Sequence, residues 1–216
     1  MLARVQLTLA AALALVALGL GAILLFGPDG EIRASEGQGL SVGPYGWVGS
    51  LAPPDIRRRD FTLPDENGRP FALASARGKV TVLTWMYSTC LDSCQATAST
   101  IKLALDDLGK TADDVPVIAV SVDPVGDTRT NVRSFLLKQT LFGRMTYLRG
   151  TRAQLAPVWD AYKVQQQGPG TKLSDSHTVS VLLIGRDGKQ RLSLPVDSIT
   201  PEALAHDLRK LIGEKS

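Results

Sequence analysis

Lys79–Ile101 reads KVTVLTWMYSTCLDSCQATASTI and carries both cysteines of the chain, Cys90 and Cys94. Val80, Val82, Leu83, Trp85 and Met86 make a nearly continuous apolar run, the pattern of a central strand covered on both faces. A short loop with Cys90 follows, and a helix is expected from about Cys94 to Leu108. Asp92 or Ser93 is the expected cap, since both side chains accept from first-turn amides. Cys94 falls in that first turn, where unpaired N–H groups and the helix dipole favour an anion. Its thiol is therefore expected to be acidified and to supply thiolate, the form that binds metals and attacks disulfides.

The spacing is C-x-x-x-C, one residue longer than the C-x-x-C of thioredoxin-like reductases. On a turn followed by a helix, four-residue spacing puts both sulfurs on one side. They can then converge on a single soft ion or close a disulfide. A structural disulfide or two buried thiols is the plainer alternative, and a third group is needed to choose.

The chain has 216 residues, 44% of them hydrophobic and 21% charged, enough for one domain with a real core plus an appendage. A net charge of +3, with no basic stripe interleaved with aromatics, argues against nucleic acid as a partner. Arg57-Arg58-Arg59 reads as a solvated linker face. Leu7–Phe26, LTLAAALALVALGLGAILLF, is twenty residues without a charge, long enough to span a bilayer. Arg4 precedes it and Asp29 and Glu31 follow, so residues 1–6 are expected inside and the remainder outside. GPDGEIRAS after Phe26 is a poor cleavage site, which favours an uncleaved single-pass anchor over a signal peptide. With no cysteine directly after the span, lipoprotein processing is not expected. Outside the cytoplasm a free cysteine pair tends to oxidise unless a reductant or a metal holds it.

Residues 27–59, rich in Gly, Pro and Ser, read as a linker with little regular structure. The folded domain, 60–216, is expected to open with a β-hairpin, Phe61–Leu63 and Phe71–Leu73 around Asp65-Glu66-Asn67-Gly68. After the central strand and the cysteine helix come a buried strand at Val115–Val122 and a turn at Asp123–Asp127. A helix over Thr128–Gln139, a short strand at Met145–Leu148 and a helix over Ala153–Tyr162 follow. Lys163–Ser176 reads as a long polar loop. Val179–Ile184 and Gln190–Leu194 form a hairpin, and Pro201–Ile212 an amphipathic helix. This order is that of an α/β, thioredoxin-like domain with a partly parallel sheet. The site then belongs at the carboxyl end of the first parallel strand.

The chain has two histidines. His206, beside Asp207 on the last helix, reads as a solvated surface residue. His177, in the loop DSHT just before an apolar strand, reads either as a capping residue or as the third group. Two thiolates and an imidazole suit Cu(I), which is soft and content with three ligands. Zinc would want a fourth ligand, and no further cysteine or histidine is available for it. Met86 is a conceivable extra ligand but reads better as core.

From Phe61 to the end the sequence resembles the Sco/SenC family. The resemblance rests on FTLPDENGRPFALASARGKVTVLTWMYSTC, the C-x-x-x-C pair, SVDPVGDT at Ser121–Thr128, and His177 followed by an apolar strand and the turn Asp187-Gly188. It implies that Cys90, Cys94 and His177 bind one copper ion. It also implies help in assembling the dinuclear copper centre of cytochrome c oxidase, with the oxidase's copper-site subunit as partner. Some members act instead as thiol–disulfide reductants for the cysteines of that centre, and a copper donor chaperone or a thiol reductant would be a second partner. Asp92 keeps the family's acidic position between the cysteines, and Asp123 and Asp127 keep its D-P-x-x-D pattern beside the site. The chain departs at Leu91 and Gln95, where the family has proline, and at Ser176, where it has an aspartate that here stands one residue earlier as Asp175. A peroxiredoxin reading fails because Tyr87 and Leu91 stand where that motif needs a hydroxyl side chain of Thr or Ser.

The sequence thus predicts a metallochaperone rather than an enzyme, single-pass in the cell inner membrane with its domain on the periplasmic side. A thiol–disulfide oxidoreductase using Cys90 and Cys94 is the second reading, and a redox or copper sensor acting through a membrane partner is the third.

Overall fold

The computed structural model describes residues 40–53, 56–164 and 180–214. The apolar run becomes β4 (Thr81–Met86), six residues all buried. The order across its sheet is β1 (Ser50–Leu51), β8 (Gln190–Pro195), β7 (Ser180–Ile184), β4, β5 (Val117–Ser121) and β6 (Thr146–Leu148). β4, β5 and β6 are mutually parallel, and β7, β8 and β1 continue from β4 by antiparallel pairing. α1 (Ser93–Leu108) links β4 to β5, and α2 (Arg129–Lys138) links β5 to β6. α3 (Arg152–Tyr162) follows β6, and α4 (Pro201–Gly213) closes the fold. The expected hairpin is β2 (Thr62–Pro64) with β3 (Pro70–Ala72), a separate two-stranded sheet.

Alternation along the strands sorts the core into two layers. Val82 and Met86, Val117 and Ala119, Val181 and Leu183, and Leu192 and Leu194 belong to one, with apolar faces of α1, α2 and α4. Leu83 and Trp85, Ile118 and Val120, and Leu182 and Ile184 belong to the other, with α3 and the β2–β3 hairpin. This is why β4, covered on both sides, reads as unbroken apolar sequence. Cys90 and Cys94 belong to the first layer.

The segment expected as an irregular linker is part of the fold from Leu40 onward, earlier than the boundary expected near Asp60. Ser50 and Leu51 pair with Ser193 and Leu192, and Arg57 bridges Lys189. Trp47 is buried, with the Lys210 ammonium 4.6 Å from its ring centroid. The backbone N–H groups of Val48 and Gly49 donate to the two carboxylate oxygens of Asp207 at 2.9 and 2.7 Å. Arg58 is not solvated: its side chain is 5% exposed and its Nε lies 3.1 Å from an Asp60 oxygen. Among the described residues no helix is long and apolar enough to cross a membrane. The expected anchor at Leu7–Phe26 lies outside the described residues, as do His177, Asp175 and Ser176.

Candidate metal centre

β4 ends at Met86, and the chain turns so that the Cys90 N–H donates to the Tyr87 carbonyl at 3.3 Å. The turn places the Cys90 sulfur at the start of α1, where it accepts the backbone N–H of Cys94 at 3.2 Å. That sulfur occupies the place expected for a capping side chain. Asp92 stands at the N-cap position, but its side chain makes no capping bond, and Ser93 is already helical. The Ser93 hydroxyl lies 3.8 Å from the same sulfur.

This corrects the expectation about which thiol is acidified. Cys90, not Cys94, is drawn down, to about 5: the Cys94 thiol hydrogen-bonds to it, and the Tyr87 hydroxyl and the backbone N–H groups of Asp92 and Cys94 add to the effect, against an opposing effect of burial. Cys94 is pushed far above the ordinary thiol range by its bond to Cys90 and by burial, with the charge of Cys90 adding to the shift. The first turn does favour an anion. The sulfur that receives the free N–H is the one ahead of the helix, while Cys94 faces the core at 4% exposure. The pair thus holds one proton on Cys94 and one negative charge on Cys90, titrating as a coupled unit.

Leu91 is 89% exposed. Gln95 donates from Nε2 to the Cys90 carbonyl at 3.1 Å, a tether from the first turn of α1 back to the loop. Where the family has prolines, this chain holds the loop by a side-chain hydrogen bond.

The two aspartates of the D-P-x-x-D loop have different partners. Asp123 makes the turn, accepting from Val125 and Gly126 N–H at 3.2 and 2.9 Å. Asp127 is buried and holds Ser88, at the start of the cysteine loop. It accepts from Ser88 N–H and Ser88 hydroxyl, both at 2.6 Å, and from the Ser121 hydroxyl at 2.5 Å. The Tyr147 hydroxyl lies 2.9 Å from Asp127 Oδ2 and also 2.9 Å from the Met86 carbonyl. That hydroxyl has one proton for two acceptors. A protonated Asp127 resolves the count, donating to the Tyr147 oxygen while Tyr147 donates to Met86. Burial raises the Asp127 carboxyl above its ordinary range in the same sense, against the opposing effect of its hydrogen bonds. Aspartate spacing was legible in the sequence, but nothing there distinguished the turn maker from the buried acid.

Met86 is core, as expected. His206 is only partly exposed, its Nδ1 3.0 Å from an oxygen of the fully buried Asp207. Among the described residues no three His, Cys, Asp or Glu side chains cluster as a metal site. β7 is antiparallel to β4, with Leu182 opposite Leu83, and the Thr84 hydroxyl donates to the Ser180 carbonyl at 3.4 Å. β7 therefore begins at the end of the sheet from which the cysteine loop leaves.

A family model described as SCO1/SenC matches residues 50–213. The copper-bound structure of ScoI from Bradyrhizobium japonicum superposes with a TM-score of 0.62 at 32% identity, covering 72% of this chain and 99% of that one. BsSco, described as a member of the Sco family of cytochrome c oxidase assembly proteins with a disulfide switch, superposes at 0.63 with 23% identity, covering 77% and 99%; at that identity the likeness speaks for the fold. A SCO2-like protein of Rickettsia conorii is 24% identical over 157 residues, 69% of this chain and 74% of its own. With its mixed α/β thioredoxin-like fold and its cysteine pair at the end of the central strand, this chain belongs to the SCO1/SenC family.

Proposed function

We propose that this protein carries one copper ion on Cys90, Cys94 and His177. We further propose that it serves as a membrane-anchored metallochaperone in assembly of the dinuclear copper centre of cytochrome c oxidase. The observation that carries the reading is the sulfur pair itself: two buried thiols at the head of α1, the Cys90 sulfur accepting the Cys94 N–H at 3.2 Å and its thiol drawn down to about 5. A soft cation entering there needs to displace only the Cys94 proton. β7 begins at this same end of the sheet, and His177 stands three residues before Ser180 in sequence, a reach of roughly 10 Å. Copper is the cargo of this site, and a two-sulfur, one-nitrogen set suits it in the Cu(I) state. The copper-bound ScoI structure, at 32% identity, supports copper as the cargo.

A second reading has a specific observation in its favour. A Cys90 sulfur that is drawn down and lines the cavity beside α2, next to a Cys94 whose thiol is pushed up, is the division expected of an attacking and a resolving thiol. In that reaction Cys90 attacks a partner disulfide and one partner sulfur leaves. Cys94 then loses its proton and attacks Cys90, and the partner departs as a dithiol while Cys90–Cys94 closes as the disulfide. The two readings separate at His177: His177→Ala removes a copper ligand but leaves both sulfurs. Under the copper reading, the substitution weakens Cu(I) binding and spares disulfide exchange. Loss of neither activity, with copper still bound as tightly as by the parent, rejects the three-ligand site and leaves the reductase.

The anchor at Leu7–Phe26 and a periplasmic domain complete the proposal. Fractionation with protease accessibility tests it: the chain stays with the inner membrane and its domain is cut only from the outer side. Recovery of a soluble mature protein beginning beyond Phe26 contradicts it.

A further inference from the structure

A cavity of about 540 Å³ lies between the cysteine loop and α2. One wall is the loop itself, with Cys90 and Leu91, together with Gln95. The other is a single stripe of α2, since Asn131, Ser134, Phe135 and Lys138 stand at i, i+3, i+4 and i+7. α2 follows β5, whereas the loop bearing His177 leads into β7, on the opposite side of β4. The groove therefore reaches Cys90 from the β5 side of β4.

Its chemistry is specific. The described walls offer amides and hydroxyls, one ammonium and no carboxylate. Side-chain amides and hydroxyls both donate and accept, so they match the N–H and C=O groups of an extended backbone. Leu91, almost wholly exposed beside the sulfur, gives an apolar side chain a surface to meet. Lys138 is exposed and makes no ion pair with a described residue, which selects for negative charge.

We propose that this groove is the docking surface by which Cys90 meets its protein partner: it seats a short, extended, acidic-to-neutral segment that presents a cysteine. The proposal rests on the reading of Cys90 and Cys94 as the protein's working pair and, from the cavity that Cys90 lines, names where the other protein's chain lies.

The test uses the full reduced chain and synthetic peptides with one cysteine activated as a pyridyl disulfide, flanked by apolar residues and by either acidic or basic ones. The Cys90 thiolate attacks the peptide sulfur, the bond to the pyridyl sulfur breaks, and thiopyridone leaves and takes up a proton. The readout, in each variant, is the peptide rate divided by the rate with a small pyridyl disulfide. The acidic peptide should react with a rate that saturates as its concentration rises, about tenfold faster than the basic one below saturation. Lys138→Glu should reverse that preference, and Ser134→Trp, which fills the groove, should abolish saturation. A rate linear in peptide with no charge preference overturns the proposal, as does a Lys138→Glu variant that keeps the parental preference. Copper titration of the parent is run alongside. Failure to bind Cu(I) rejects the metallochaperone reading, while the peptide ratios judge the groove on their own.

Discussion

The Cys90 sulfur receives the Cys94 N–H at the head of α1, and this sets it apart from Cys94. A folded-state thiol drawn down to about 5 is ionised at all neutral pH values, whereas in the unfolded chain the same group titrates at about 8.5. Alkylation of the reduced protein should therefore label Cys90 first, at a thiolate-limited rate that is flat through neutrality and half-maximal near pH 5. Denaturant should return the midpoint to the ordinary thiol range. Initial labelling of Cys94 would reverse the assignment. Asp127 can be tested separately. Asp127→Ala leaves the Ser88 N–H without its acceptor in a buried site, and a cost of about 2–4 kcal/mol is expected in denaturant unfolding. Asp127→Asn should cost less, because an amide can accept from Ser88 and still donate to the Tyr147 oxygen, as the protonated acid does. Equal losses in the two variants would argue for an ionised Asp127.

At the scale of elements, α4 does more than cover the sheet. Asp207, fully buried, binds Val48 and Gly49, and Lys210 donates to the Tyr45 carbonyl at 2.7 Å. Asp207→Ala should speed hydrogen exchange at Val48 and Gly49 and lower stability by about 1–3 kcal/mol, while Cys90 alkylation keeps its parental pH profile. Unchanged exchange at those amides would remove Asp207 from this role. None of this was legible in the sequence. A strand of two residues has no period to detect, and an aspartate next to His206 looks like the polar face of an amphipathic helix. β4, α1, β5 and the closing hairpin were legible, because long apolar runs and turn residues encode them locally. The cysteine pair was legible by spacing. Which sulfur is ionised was not, since that depends on the turn at Tyr87–Cys90 and on the inward direction of Cys94.

Across the whole molecule, the parallel β4–β5 pair and the antiparallel β7 bring three connections to one edge of the sheet: the cysteine loop, the Asp123–Asp127 loop and the entry into β7. The two sulfurs and the start of β7, three residues after His177 in sequence, come from segments far apart in the chain. Anaerobic Cu(I) titration of the reduced protein, with and without His177→Ala, therefore tests the central claim most directly. The reduced parent should take up one Cu(I) per chain, the oxidised Cys90–Cys94 form none, and His177→Ala should bind more weakly by about tenfold or more. Parental affinity in His177→Ala, or full uptake by the oxidised form, would contradict a copper site built from Cys90, Cys94 and His177.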